Sequence, residues 1–208
     1  MIILFIILLI SSTIYGAWVS GNSFHVKIQA TSDNTGDTCQ LISYDSSAAL
    51  APFVIVSWSG GVDTVWVTTL GGDMYWNELG ETIDSTAKRT KIGDYGLGIR
   101  YYHGMYWFDA LNVPCGEKLS SAYFRGIVKS AVNETSVTFK VEASDDATAF
   151  GNFTNITTRT YGDKTVATTI GDGKSPGDTV SVDITKCIQE LVNRGYIRVN
   201  KPQVIIIQ

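Results

Sequence analysis

Through most of this chain apolar residues come at every second position, the period at which a strand turns one face to a core and the other to water. Val137, Phe139 and Val141 alternate in this way within residues 136–143, and residues 119–128 read as a second long strand. Residues 17–58 predict two or three strands around a polar turn at 32–37. Residues 62–70, rich in Val, Thr and Trp, predict another, broken by Gly71-Gly72. Short strands are expected at 165–169 and 179–182, and a last one at 204–207. Residues 77–92 and 151–159 are polar and read as loops. The period changes once: between Asp183 and Arg194, residues Ile184, Cys187, Ile188 and Leu191 form the apolar stripe of a helix. Asp183 is placed to cap it and Gly195 to stop it.

One segment departs from alternation. Phe53, Val54, Ile55, Val56 and Trp58 are apolar on both faces, with only Ser57 polar between them. Strands of that kind are usually buried on both sides. Fully burying these side chains contributes on the order of 10 kcal/mol before entropy costs. The segment also follows a repeated element. Near the start the chain reads Trp18-Val19-Ser20-Gly21-Asn22, then FHVKIQ; at its end it reads Tyr196-Ile197-Arg198-Val199-Asn200, then VIIIQ. The first copy continues through Ser43-Tyr44-Asp45 and Ala51-Pro52 into Phe53–Trp58, and the second stops at Gln208. Chance similarity of two short β segments is the bland alternative. The sharper one is an open sheet edge at residues 204–207, around Val204 and Ile206, waiting for the strand at the front of the chain.

Composition narrows the picture. Charged residues are 17% and aromatics 11%, with 20 glycines, a mixture that favours β structure. The net charge of −4 and the absence of a basic run argue against nucleic acid as a partner. Ile2 to Ile10 is an unbroken apolar run of nine residues, too short to span a bilayer. Small and polar residues follow it up to Gly16, so residues 1–16 read as a secretory signal peptide, although a basic n-region is missing. Cys39, Cys115 and Cys187 lack metal-ligand spacing and are disulfide candidates in an exported chain, or else three small buried side chains. Asn133, Asn152 and Asn155 stand in glycosylation sequons.

Candidate chemistry is thin. The chain has two histidines, His25 and His103, and no Gly-x-Ser-x-Gly, HExxH or GxGxxG pattern. His25 reads as solvent-facing. Cys115 with His103 makes a nucleophile pair only if the fold joins them, and no third orienting residue suggests itself. Glu142, Asp145 and Asp146 have the types of paired acids or calcium ligands but read more simply as a solvated turn. Gly171-Asp172-Gly173-Lys174-Ser175 lacks the first glycine of a phosphate loop and reads as a turn. The aromatic run from Tyr101 to Phe108 suggests stacking on sugar rings, against the plainer reading that Tyr106 and Phe108 fill a sandwich core.

From about residue 96 onward, a little over half the chain, the order of segments resembles the DNRLRE-type (disaggregatase-related) β-sandwich domains of secreted proteins. The resemblance rests on Gly98-Ile99-Arg100, on Leu111-Asn112-Val113-Pro114-Cys115-Gly116 and on Leu119-Ser120-Ser121-Ala122-Tyr123-Phe124. Thr158-Arg159-Thr160, Asp183-Ile184-Thr185 and Gln189-Glu190-Leu191-Val192-Asn193-Arg194 continue it. In that family a closing "Ser-Tyr-Asp…Ala-Pro" segment follows the last strand; here its counterpart is Ser43-Tyr44-Asp45 with Ala51-Pro52, at the front. The resemblance implies a carbohydrate-binding-like or structural module with no catalytic residue to transfer.

The expectation is therefore an all-β, antiparallel, jelly-roll-like β-sandwich with one short helix and an N-terminal strand extension. Residues 1–16 are the signal peptide, 17–58 a strand-donating arm and 59–208 the body. Three arrangements fit: a circularly permuted monomer, a head-to-tail polymer, or a fragment of a larger repeat protein. The favoured reading is a secreted, extracellular or cell-surface structural subunit that partners copies of itself, without enzymatic activity, cofactor or metal. Its interface then comprises Phe53, Val54, Ile55, Val56, Trp58, Val204 and Ile206. A monomeric module that binds glycans is the alternative.

Overall fold

The computed structural model describes residues 18–31, 36–78, 82–94, 101–144, 147, 150 and 158–194. The chain is all-β and mostly antiparallel. Its strands are β1 (Asn22–Ala30), β2 (Thr38–Ile42), β3 (Phe53–Trp58), β4 (Gly61–Trp66), β5 (Asp73–Asn77) and β6 (Thr82–Asp84). They continue with β7 (Arg89–Asp94), β8 (Tyr101–Leu111), β9 (Leu119–Val132), β10 (Thr135–Glu142), β11 (Tyr161–Ile170) and β12 (Thr179–Asp183), followed by helix α1 (Thr185–Val192). Hydrogen bonding joins the strands into one curled sheet in the order β11-β10-β1-β8-β7-β2-β9-β3-β4, with β12 beside β9, and β5 between β8 and β6.

The sheet folds over on itself at β9, a strand of 14 residues. Residues 119–125 of β9 pair with β3, and residues 128–132 pair with β2 in the other layer. Gly126 sits at this crossing. A Cβ there would stand 2.8 Å from Leu41 Cδ1, so only glycine lets the strand pass so close to β2. The core lies between the layers. Phe124 of β9 meets Tyr106 and Phe108 of β8 and Phe139 of β10, with ring centroids 5.1–6.4 Å apart. All four rings are fully buried, and such offset or edge-on contacts add to simple burial. The plainer reading of Tyr106 and Phe108 as core residues therefore holds.

The sequence reading and the structure differ in instructive places. Residues 77–92, read as loop, carry β6 and the start of β7. Polar composition misled there because β7 is a half-buried strand whose inward positions include Thr90. Phe53–Trp58 is not buried on both faces: Val54 and Val56 are buried, while Phe53, Ile55, Ser57 and Trp58 are half-buried. Among the described residues its second face is only half-covered. Its edges are both occupied, by β9 along one side and β4 along the other. β1 lies between β8 and β10, and β2 between β7 and β9. All three strands of residues 18–58 are thus interleaved with later strands of the same chain.

The helix forms where its apolar stripe requires. Cys187, Ile188, Leu191 and Val192 face the core, and the Asp183 carboxylate accepts the Thr185 N–H at 2.9 Å. Trp18 buries its ring and donates from Nε1 to the Val113 carbonyl at 2.9 Å, while its backbone N–H meets the Arg194 carbonyl. The start and end of the described chain thus lie side by side. The second copy of the repeated element, with Val204 and Ile206, lies outside the described residues, as do residues 1–16.

Candidate binding face on strands β3, β4, β9 and β12

The β3–β4 hairpin turns through Ser59-Gly60, with Trp58 opposite Gly61. Trp58 folds its ring over that turn; a Cβ on Gly60 would stand 2.7 Å from Trp58 Nε1. From this fixed turn the alternation of both strands is set. Val54, Val56 and Val65 point into the core. Phe53, Ile55 and Ser57 on β3, with Val62, Thr64 and Trp66 on β4, share the opposite face.

Register assembles that outer face into rows. Trp66, Phe53, Arg125 and Ser181 stand opposite one another across β4, β3, β9 and β12. The next row is Thr64, Ile55, Tyr123 and Asp183, and the third contains Val62, Ser57 and Ser121. Phe53 and Trp66 stack, with centroids 4.2 Å apart and planes 28° from parallel. Trp66 and Tyr123 are each 36% exposed and Val62 is 65% exposed. Strand spacing places Trp66 and Tyr123 roughly 12 Å apart, two strands over and one row along. The result is a shallow aromatic surface bordered by hydroxyls, a guanidinium and a carboxylate. A hollow of about 280 Å³ lined by Trp58, Ser59, Glu117, Lys118, Leu119 and Ser120 opens beside it.

A second aromatic surface lies around β5. Lys91 Nζ sits 4.9 Å from the Tyr75 ring and 5.3 Å from the Tyr102 ring. Lys27 Nζ sits 4.8 Å from Trp76 and 5.5 Å from Tyr161. Burial, with Lys140 opposite, pushes the Lys27 amine down to about 8. These rings are already engaged by the protein's own cations, which makes the outer face of β3 and β4 the more open platform.

The candidate chemical groups are dispersed. His25 is fully buried, contrary to its expected exposure, because Phe150 stacks on it and Arg159 closes over it. It contacts Glu142, which also accepts from Arg159 Nη1 at 2.6 Å. Burial lowers the His25 pKa, partly offset by Glu142. Burial opposes ionisation of Glu142, but its bonds to His25 and Arg159 outweigh this and hold its carboxyl below the usual range. Asp145 and Asp146 lie outside the described residues.

His103 accepts the Ala30 N–H at Nδ1, 3.1 Å away, and faces Glu78 through Nε2. Cys115 instead directs its Sγ toward the Arg194 carbonyl, so the two do not form a pair. Residues 171–175 make a turn that is exposed from Asp172 onward. All three cysteines are free thiols. Cys39 and Cys187 are buried, and burial pushes their pKa values up to about 12 and about 11. A bridge from Cys39 to another chain would have to open the core. Asn133 is exposed at the β9–β10 turn, in a left-handed conformation, and donates to Asp37 Oδ1 at 3.1 Å. Asn152 and Asn155 lie outside the described residues.

Sequence reasoning did not single out Trp66 or Tyr123. Their signal was the Val/Thr/Trp alternation of β4 and the Ser-Ala-Tyr-Phe of β9, but only register shows that they share a face. Among the described residues no helix is long and apolar enough to cross a membrane. Comparison of the chain with protein-family models, with curated proteins and with solved structures gave no match.

Proposed function

We propose that this chain is a secreted, non-catalytic β-sandwich module that binds polysaccharide on the outer face of β3, β4, β9 and β12. The carrying observation is the aromatic surface of exposed Trp66 and Tyr123 with half-buried Phe53 between them, within a polar border. A pyranose ring has an apolar face and a hydroxyl rim, so it stacks on an aromatic plane and hydrogen-bonds at its edge. Trp66 offers the ring face not covered by Phe53, and Arg125, Thr64 and Asp183 supply the edge.

The interleaving of β1, β2 and β3 with later strands favours this over strand donation, because each already has partners within the chain. Self-association through the same face is the second reading. It is favoured by Val62 and by the far edge of β4, which has no strand partner among the described residues. Such an apolar edge invites pairing with another sheet.

The test is retention of the purified chain on a panel of insoluble and soluble polysaccharides, alongside size-exclusion chromatography. Trp66→Ala and Tyr123→Ala are each expected to cost about 1–3 kcal/mol of binding, a roughly 5- to 150-fold loss, as for other stacking contacts. Retention by no polysaccharide, together with oligomers that Val62→Lys dissociates, would replace the glycan reading with self-association.

A further inference from the structure

β4 ends the path of the sheet, and the binding face uses its side chains but not its free edge. The Val67 N–H donates to the Pro52 carbonyl at 3.0 Å, and these two residues lie one step beyond the Phe53–Trp66 pair. Bonded and non-bonded pairs alternate along an antiparallel ladder. Gly61, Asp63 and Val65 therefore exchange their main-chain bonds with β3. Val62, Thr64 and Trp66 turn their N–H and C=O groups the other way, over the open edge. Among the described residues no backbone bond reaches these groups. The side chains of the same residues are exposed, Val62 most of all at 65%.

Bare edges are ordinarily blunted by Lys, by Pro or by a bulge. β11, at the other end of the sheet, carries exposed Asp163 and Lys164. β4 reads Gly-Val-Asp-Thr-Val-Trp and keeps an unbroken register against β3. Its one charged residue, Asp63, is engaged on the other side of the strand, where it accepts the Asn112 N–H at 2.8 Å.

We infer that the free edge of β4 pairs antiparallel with β4 of a second copy of this chain, about a twofold axis through Thr64. In this register Thr64 faces the partner's Thr64, and Val62 faces the partner's Trp66. Each outward N–H and C=O of Val62, Thr64 and Trp66 then finds a partner, as a self-complementary twofold contact requires. Val62 against Trp66 is a β-branched–aromatic pair of the kind that stabilises facing strands. The neighbouring registers are poorer. One sets Asp63 against the partner's Asp63, and the other leaves the Val62 groups beyond the end of the partner's strand. One pair of such short strands falls at the low end of interface sizes, below about 1,200 Å², so the contact is weak and reversible. It lays Val62 on the side of Trp66 away from Phe53, the ring face that the glycan reading leaves to sugar. Pairing and polysaccharide therefore compete for Trp66, and this consequence alone rests on that reading.

The experiment uses the full chain, first without polysaccharide. Mass from light scattering after size exclusion, read across a concentration series, should pass from monomer to dimer. Thr64→Pro removes an N–H at the open edge and leaves the β3 ladder intact. It should raise the dissociation constant at least about tenfold. Thr64→Ala, which keeps the N–H, should not. Should the proline variant not fold, cysteine cross-linking decides. Opposite Cα atoms of a bonded pair stand about 5.5 Å apart, within disulfide reach. Thr64→Cys should therefore give a reducible dimer under mild oxidation. Val62→Cys sets its two copies roughly 14 Å apart along the strands and should not. The wild type, whose three thiols are free, is the blank. Adding a polysaccharide that the chain retains should return dimers to monomers. Monomers at every concentration overturn the pairing. So do dimers that Thr64→Pro leaves intact, or cross-linking of Val62→Cys as readily as Thr64→Cys. Failure to retain any polysaccharide, with the pairing intact, overturns the glycan reading alone.

Discussion

His103 shows how burial, helped by neighbouring charge, sets a residue's behaviour. It is 1% exposed and beside Lys27 and Lys140, and burial, then those charges, push its pKa from 6.5 to about 3. The folded state keeps it neutral while the unfolded chain takes up a proton. Its contribution to stability is therefore lost as pH falls from about 6.5 to about 3. His103→Gln keeps an acceptor for the Ala30 N–H and carries no titrating group. It should flatten the decline of Tm across that window, read by circular dichroism at stepped pH. Ala110 is a second informative residue. It holds φ of +56°, where a Cβ costs about 1–2 kcal/mol. Ala110→Gly should raise thermal stability by about 1 kcal/mol in chemical denaturation. The sequence marked His103 only as a candidate partner of Cys115, not as a buried neutral acceptor, and Ala110 stood in an ordinary Asp-Ala-Leu stretch.

At the scale of elements, β9 does the most. It belongs to both layers and pairs with β2, β3 and β12. Its passage depends on Gly126 lying against Leu41. Gly126→Ala should overpack that contact and destabilise the chain by about 1–3 kcal/mol in urea unfolding. Leu41→Ala in the same chain should recover part of the loss, a coupling that independent sites would not show. β9 and β10 were legible because both alternate cleanly. α1 was legible because its apolar spacing is helical, although Ile184 rather than Asp183 stands at its N-cap, without a side-chain cap bond. β6 and β7 were not, because their polar inward residues erase the period.

At the scale of the molecule, residues 18–58 supply strands from the interior of the sheet. Removing them takes β1 from between β8 and β10 and β3 from between β9 and β4, which exposes Phe124, Phe108 and Phe139. A chain lacking residues 17–58 is expected to show no cooperative thermal transition and to aggregate through its open edges. Supplying residues 17–58 as a separate polypeptide should restore a transition. Cooperative unfolding of the truncated chain by itself, in calorimetry, would mean that the N-terminal strands are an appendage after all.

The sequence by itself determined the class of fold. Period-two alternation with abundant Val, Thr and aromatics can bury its apolar face only in layered sheets, and the one helical stretch stands out against it. It also placed Tyr106 and Phe108 on one face, with a sandwich core as the plainer of two readings for them. What it left open was pairing. Alternation says that a residue lies on one face or the other, but not which strand stands beside it or whether a layer covers it. The apolar run at Phe53–Trp58 looked doubly buried because both faces are greasy. Tertiary structure decided that Phe53 and Ile55 face outward, joined Trp66 and Tyr123 to them, and buried His25 beneath Phe150. Each of these depends on contacts across roughly 13 to 134 residues of sequence, fixed by register and layer packing, which no local pattern encodes.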